Sequence, residues 1–422
     1  MKTVGLICEF NPFHHGHAHL LHSIRERFGD DTAIVCVMSG NFVQRGEPAI
    51  FDKWSRAEAA VLSGADLTLE LPFPWSAASA DRFADAAVSV LDSLGIVDHL
   101  AFGSESGDLT GLSLLASELE SPRFLEAYTS FSNENNIGSA EKNSVVYREI
   151  YGKTDGLSFL KKPNDLLGVS YIRAILRKHS KIEPVAFLRV GTPHDGKAPS
   201  GDSPITSASE ARALIKVGGG GQTAAFSRMP RSSIEIFKRE ISAGKYLADD
   251  KKWLDLLLFH CRLTDQRTLE KADGLGGGLA ARVKRAANDS CEGVDFFNRI
   301  RTKKYTNAFL RRALLAALFG ITKEQLNASP SYTQILAFNK KGQALLSRIR
   351  RTAALPLLTK PADYRLLPLP ARESSLASAR ADAVYASLLL VPSAPSEARK
   401  RSPYRSGNRS QTNPIWEGKF LP

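Results

Sequence analysis

The chain is poor in cysteine and lacks any long apolar run. Its four cysteines, Cys8, Cys36, Cys261 and Cys291, lie far apart with no CxxC pair, which excludes a disulfide scaffold and the usual zinc-ribbon spacing. Cys8 and Cys36 fall inside apolar runs, so the four read as reduced core thiols of a cytoplasmic protein. No stretch approaches the roughly 20 apolar residues that span a bilayer, and the apolar run after Met1-Lys2-Thr3 is too short for a secretory leader. The glycine clusters at 218–221 and 276–278 lack the Lys-Ser/Thr that would follow in a Walker loop. No internal repeat is visible. Acidic charge is also short: 44 Asp and Glu stand against 56 Lys and Arg, leaving +12, a balance that points to a polyanionic partner.

What is present is a hydrophobic fraction of 43% over 422 residues, enough for two or three domains with cores of their own. Thr3 to Cys8, Ala33 to Met38, Asp66 to Leu71 and His99 to Phe102 read as buried strands. Between them His15 to Phe28, Trp54 to Leu62 and Ala80 to Leu94 carry apolar residues at helical spacing. Such alternation predicts an α/β, Rossmann-like parallel sheet, with ligands beyond the carboxyl ends of the strands. There the loops at Glu9 to Gly16, at Ser39-Gly40-Asn41 and at Gly103-Ser104 would meet. Residues 1–225 are expected to form this catalytic domain. Residues 226–330 turn mostly helical and basic, with Trp253 to Cys261, Leu279 to Ala287 and Lys303 to Leu318 as helices, and 331–422 form a small mixed C-terminal domain ending in a basic tail rich in Ser, Pro and Arg.

His14, His15, His17, His19 and His22 are five of the nine histidines. His15, His19 and His22 would share a helical face, but no carboxylate or cysteine completes a ligand set, so no metal site is assigned. The informative pattern is Asn11-Pro12-Phe13-His14-His15-Gly16-His17, between a buried strand and a helix. A strand feeding a helix start aims backbone N–H groups and a positive dipole end at the loop, an anion site. His14 and His17 can donate to phosphate oxygens as charge builds, and Gly16 lets a nucleotide approach the backbone. A second grip is Ile205 to Arg212, where Ser207, Ser209 and Arg212 open a helix as a capping box or a phosphate clamp.

These residues resemble the HxGH nucleotidyltransferases and, within them, the bacterial tRNA(Met) cytidine acetate ligases. The resemblance rests on Gly5 to His17, on Met38 to Ala49, on Gly64-Ala65-Asp66 to Pro72, on Phe102 to Glu105, on Lys162 to Gly168 and on Phe187 to Arg189, and is strongest over roughly the first 215 residues. It implies that ATP lies along Ile7, Cys8, Glu9, Phe10, Asn11, Pro12, Phe13, His14, His15, Gly16, His17, Ala18, His19 and Leu20, with Gly103, Asn164 and Arg189 also in contact. It further implies a ligase that joins acetate to the wobble cytidine of elongator tRNA(Met) through acetyl-adenylate. Magnesium would accompany ATP, although no protein ligand for it stands out. Ser39, Asn41, Gln44 and Arg45 would line the acetate or tRNA side, and Lys303, Lys304, Arg311 and Arg312 form the candidate tRNA footprint. A small-metabolite adenylyltransferase of the coenzyme A or NAD synthesis type is the rival reading. Such enzymes are typically near half this length.

Overall fold

The computed structural model describes residues 1–131, 139–152, 154, 156–189, 207–394 and 401–406. Ile205, Thr206 and most of the basic tail lie outside these described residues.

Runs that are apolar on both faces can only be strands covered on both sides, and they form the centre of the molecule. The strands are β1 (Thr3–Cys8), β2 (Ala33–Ser39), β3 (Phe42–Val43), β4 (Glu47–Pro48), β5 (Leu67–Leu71), β6 (His99–Ser104), β7 (Glu183–Leu188), β8 (Thr333–Phe338), β9 (Leu357–Leu358) and β10 (Tyr404–Arg405). The main sheet runs β10-β8-β5-β2-β1-β6-β7, with β9 beside β8 and β3–β4 as a separate hairpin. From β5 to β7 every pairing is parallel, whereas β8 lies antiparallel to β5. The chain moves outward one way through β2 and β5, then returns to β6 and β7. That reversal opens a crevice beyond the carboxyl ends of β1 and β6.

Alternation along β2 builds both cores. Ile34, Cys36 and Met38 join one apolar cluster with Leu21 and Ile24 of α1 (His15–Phe28), Ala57, Ala60 and Val61 of α2 (Lys53–Leu62), and Ile236 and Phe237 of the helix Arg231–Ser242. Val35 and Val37 face the other way, onto Phe83, Val88 and Leu91 of α3 (Ala80–Ser93) and the helices Pro163–Arg177 and Lys340–Thr352. A third cluster fills the helical region around Trp253, Leu257, Phe296 and Leu314. Phe42 of the hairpin is set into it, 5.4 Å from the Trp253 ring and 5.8 Å from that of Phe319.

Two expectations are corrected here. Segment 331–422 is not a separate small layer. Its β8 is buried along nearly its whole length and completes the edge at β5, while Ala377, Ala381 and Tyr385 of its long helix Leu369–Leu388 pack into the helical cluster. The predicted helix from Lys303 starts later, at Asn307, because Thr306 accepts from Phe309 N at 3.2 Å and caps it. Lys303 and Lys304 sit in the preceding turn, where Thr302 Oγ1 accepts from Lys304 N and Tyr305 N at 3.2 and 3.3 Å.

Candidate active site

β1 delivers the chain into the crevice at Glu9. Phe10 turns it with φ +47°, a left-handed conformation held by burial of its ring against Phe13, 4.9 Å away. Asn11 then ties the loop to its surroundings: its Oδ1 accepts from Ile50 N at 2.9 Å and its carbonyl accepts from Arg212 Nη1 at 2.8 Å. Asn11 Nδ2 is buried without a partner among the described residues, a donor that something in the crevice would satisfy.

The start of α1 is capped by histidine side chains. His14 Nδ1 accepts from Gly16 N at 3.0 Å, and His17 Nδ1 accepts from His14 N at 3.3 Å. His15 N donates to the Arg228 carbonyl at 3.1 Å and His17 N to that of His14 at 3.0 Å. The expectation of free backbone N–H groups at this helix start is therefore corrected, since those of residues 14, 16 and 17 pair within the loop and that of His15 with Arg228. What is left over instead is the far side of each ring. With Nδ1 accepting, the neutral imidazole carries its proton on Nε2, and no described residue takes either Nε2. The two rings stack with centroids 3.8 Å apart.

Both imidazoles stay neutral. Burial, reinforced by the charges of Arg189, His15 and Arg212, lowers His14 from its ordinary 6.5 to about 3. Burial, with His14 and Arg189 beside it, also holds His17 well below the usual range. A pair of uncharged N–H donors suits charge that appears only during reaction, because it attracts phosphate without demanding a counter-ion at rest.

Around this loop the structure gathers most of the residues singled out in the sequence. Gly103, next to last in β6, lies so close to the residue following β7 that a Cβ would be 3.1 Å from Arg189 Cγ. Arg189 Nη1 donates to Asn164 Oδ1 at 3.1 Å, and Asn164 Nδ2 to Glu105 Oε1 at 2.5 Å. The Glu105 carboxylate also accepts from the backbone N–H groups of Asn164 and Asp165, capping the helix Pro163–Arg177. Ser207 is the N-cap of the helix Ala208–Val217, accepting from Glu210 N at 3.2 Å. Arg212 Nη2 is shared between Ser209 Oγ at 3.1 Å and Glu47 Oε1 at 3.5 Å. Ile7, Phe10, Phe13 and, in part, Ala18 and Leu20 serve the cores instead. Cys8 directs its thiol to the Val37 carbonyl, 3.8 Å away. His22 lies out along α1 beside Glu26.

The second loop is corrected in part. Asn41 does not line the crevice: its Oδ1 accepts from Lys53 N at 2.7 Å and its Nδ2 donates to Asp382 Oδ1 at 2.8 Å. Ser39 is fully buried. Gln44 uses its backbone N–H on Glu9 Oε1 at 2.8 Å, and Arg45 is exposed on the hairpin. Of the tRNA candidates, Arg311 pairs with Glu47 Oε2 at 3.0 Å and Arg312 Nη1 donates to the Gln44 carbonyl at 3.2 Å. Both therefore pin the helical region to the hairpin. Gly46, at φ +73°, permits that approach, since a Cβ there would lie 2.5 Å from Arg312 N. Lys303 and Lys304 are exposed.

Sequence reasoning missed Arg56. Wholly buried in α2, it donates to the carbonyls of Glu9 at 2.5 Å, Ser39 at 3.1 Å, Gly40 at 2.5 Å and Phe51 at 2.9 Å, fixing both strand ends against each other. It also missed Lys53, whose ammonium meets Glu70 and Asp382 at 2.8 Å. Nothing local in the sequence marks either one.

A parallel sheet with paired imidazole donors at its reversal point defines a nucleotidyltransferase, and residues 1–401 match the HIGH Nucleotidyl Transferase family. The chain is 35% identical over 379 residues to the tRNA(Met) cytidine acetate ligase of Acetivibrio thermocellus, covering 86% of this chain and 89% of that one. To the ligase of the same name from Thermotoga petrophila it is 36% identical over 369 residues, covering 85% and 86%. The crystal structure of Thermotoga maritima TmcAL bound with alpha-thio ATP superposes with a TM-score of 0.84 at 31% identity, covering 96% of this chain and all of that one. The chain belongs to the tRNA(Met) cytidine acetate ligase family. Among the described residues, no helix is long and apolar enough to cross a membrane.

Proposed function

We propose that this protein activates acetate with ATP as acetyl-adenylate and transfers the acetyl group to the wobble cytidine of elongator tRNA(Met), forming N4-acetylcytidine with release of AMP and diphosphate. The observation that carries the reading is the pair of Nε2–H donors left without a described partner on the stacked rings of His14 and His17. The names of the relatives, and the ATP analogue in the T. maritima structure, support it.

Acetate attacks the α-phosphorus, diphosphate leaves, and the imidazoles stabilise charge on the phosphate oxygens. Asn11 Nδ2, Arg212 and Arg189 supply further donors around the same loop. This is catalysis by position and electrostatics, with no covalent enzyme intermediate. The divalent cation that ordinarily accompanies ATP would be held by its phosphates and water.

The test is acetate-dependent exchange of labelled diphosphate into ATP, followed by acetylation of a tRNA(Met) transcript. Wild type should do both, and a transcript with uridine at the wobble position should accept nothing. The double variant His14→Ala/His17→Ala should lose about 10²- to 10³-fold in exchange. Exchange that ignores acetate, or survives the double variant, overturns the reading.

A further inference from the structure

The end of β1 carries a carboxylate for which adenylate formation has no evident use. Glu9 follows Cys8 directly, and Arg56 Nη1 holds its carbonyl at 2.5 Å. Its side chain reaches across to the β3–β4 hairpin, where Oε1 accepts from Gln44 N at 2.8 Å. Among the described residues it has no ion pair and no other hydrogen bond. The nearby Glu47, by contrast, takes both Arg212 and Arg311. Arg212 and the exposed Arg45 stand close enough for their charges to act on Glu9. One oxygen, Oε2, is thus left free between the HxGH loop and the hairpin. The hairpin also meets the helix Asn307–Phe319, at Arg311 and Arg312, so Glu9 stands on the side of the crevice that adjoins the helical region.

The two halves of the proposed reaction make different demands. Forming the adenylate moves no proton from carbon or nitrogen, and cationic or neutral donors suffice. Acetyl transfer does need a proton acceptor, because the cytidine N4-amine is a weak nucleophile that must lose a proton to become an amide. We infer that Glu9 is the general base of this second step. The inference rests on the function proposed above. N4 attacks the acetyl carbonyl carbon and the N4–C bond forms. The bond from that carbon to the phosphate oxygen breaks, and its electron pair leaves with AMP. The N4 proton passes to Glu9 Oε2 and from there to water. Burial supports the assignment: it raises the Glu9 carboxyl above its usual range, against the backbone donor from Gln44 and the charges of Arg212 and Arg45, so its proton affinity exceeds that of a surface carboxylate.

Glu9→Gln separates the two steps, because the amide oxygen can still accept from Gln44 N while the site can no longer take a proton. Acetate-dependent diphosphate exchange and single-turnover acetylation of the tRNA transcript are measured on the same preparations of wild type, Glu9→Gln and Glu9→Asp. The expected result is that the ratio of transfer to exchange falls by about 10²-fold or more in Glu9→Gln and recovers in part in Glu9→Asp. A Glu9→Gln enzyme whose ratio equals that of wild type overturns the inference, whether both rates hold or both fall together. The proton then goes to the AMP phosphate or to water, or Glu9 serves the fold or ATP. A wild type without acetate-dependent exchange overturns the functional reading itself, and the inference with it.

Discussion

The loops that follow β1 and β2 leave neighbouring strands in the same direction, and both are rich in polar residues. Their polar groups meet opposite fates. After β2, Asn41 is fully paired with Lys53 and Asp382, and Arg56 takes the carbonyls of Ser39 and Gly40. After β1, the backbone is paired but the side chains are not: His14 and His17 each keep an Nε2–H, Asn11 keeps Nδ2, and Glu9 keeps one oxygen. After β2 only one buried polar side chain, the Ser39 hydroxyl, sealed at 0% exposure, lacks a partner among the described residues, so that loop is scaffold, and the other is left with groups to offer a ligand. Polarity in a strand-end loop therefore does not by itself mark a site. A cluster of unsatisfied polar groups held rigid on one loop does.

The comparison is tested most severely at Lys53. Its ammonium is buried, as are the Glu70 carboxyl and, largely, that of Asp382. Lys53→Met would leave two buried carboxylates without a cation, which typically costs about 3–5 kcal/mol. Denaturant unfolding should show that loss. Exchange per folded molecule, measured at low temperature, should hold within about threefold, because no group of the second loop is asked to act on ATP. A stable variant with dead exchange would instead make the second loop part of the chemistry.

Why the two loops could not be told apart in the sequence is a matter of distance along the chain. The main strands and helices of the first hundred residues, though not the β3–β4 hairpin, were legible from local pattern: β1 and α1 lie where an apolar run and helical spacing put them. The HxGH loop was legible because its residues are contiguous. The scaffold character of Asn41 was not, since its partner Asp382 is 341 positions away, and Lys53 reaches the same residue over 329. The antiparallel pairing of β8 with β5 is equally non-local. Pairing of the N–H groups at the start of α1 escaped notice for another reason. Histidine is not among the usual N-cap residues, and its use here follows only from the turn at Phe10.

The first loop makes its own prediction through pH. His14 titrates near 3 in the folded protein and near 6.5 when unfolded. Below 6.5 the unfolded chain binds a proton that the native ring refuses, so stability falls as pH drops from 6.5 towards 3. At pH 5.5 the contribution amounts to about 1.4 kcal/mol. His14→Asn removes it while keeping a capping side chain. The stability difference between wild type and variant, measured by urea unfolding at pH 7.5 and 5.5, should therefore shift by about 1.4 kcal/mol in favour of the variant at the lower pH. A constant difference would mean that the folded His14 takes its proton as readily as the unfolded one, and the neutral-donor account would fail.

The smallest effect extends the same distinction to the basic stretch of the helical region. Arg311 and Arg312 are paired with Glu47 and the Gln44 carbonyl, and burial lowers Arg312 to about 10. Lys303 and Lys304 are exposed in the turn before the helix, with Lys304 Nζ 5.6 Å from the Tyr305 ring. If exposed cations meet phosphate and paired ones hold structure, the two pairs should respond differently. Lys303→Gln/Lys304→Gln should weaken tRNA(Met) binding about threefold to fivefold and reduce the slope of log affinity against log salt by about one to two, with thermal unfolding unchanged. Arg312→Gln should instead lower the unfolding temperature, since the Gln44 carbonyl loses its donor and the hairpin one of its contacts with the helix. Its salt slope should stay as in wild type. The opposite pattern, a salt slope altered by Arg312 and untouched by the lysines, would place RNA on the hairpin side and make the arginine pair a substrate contact that is merely occupied when tRNA is absent.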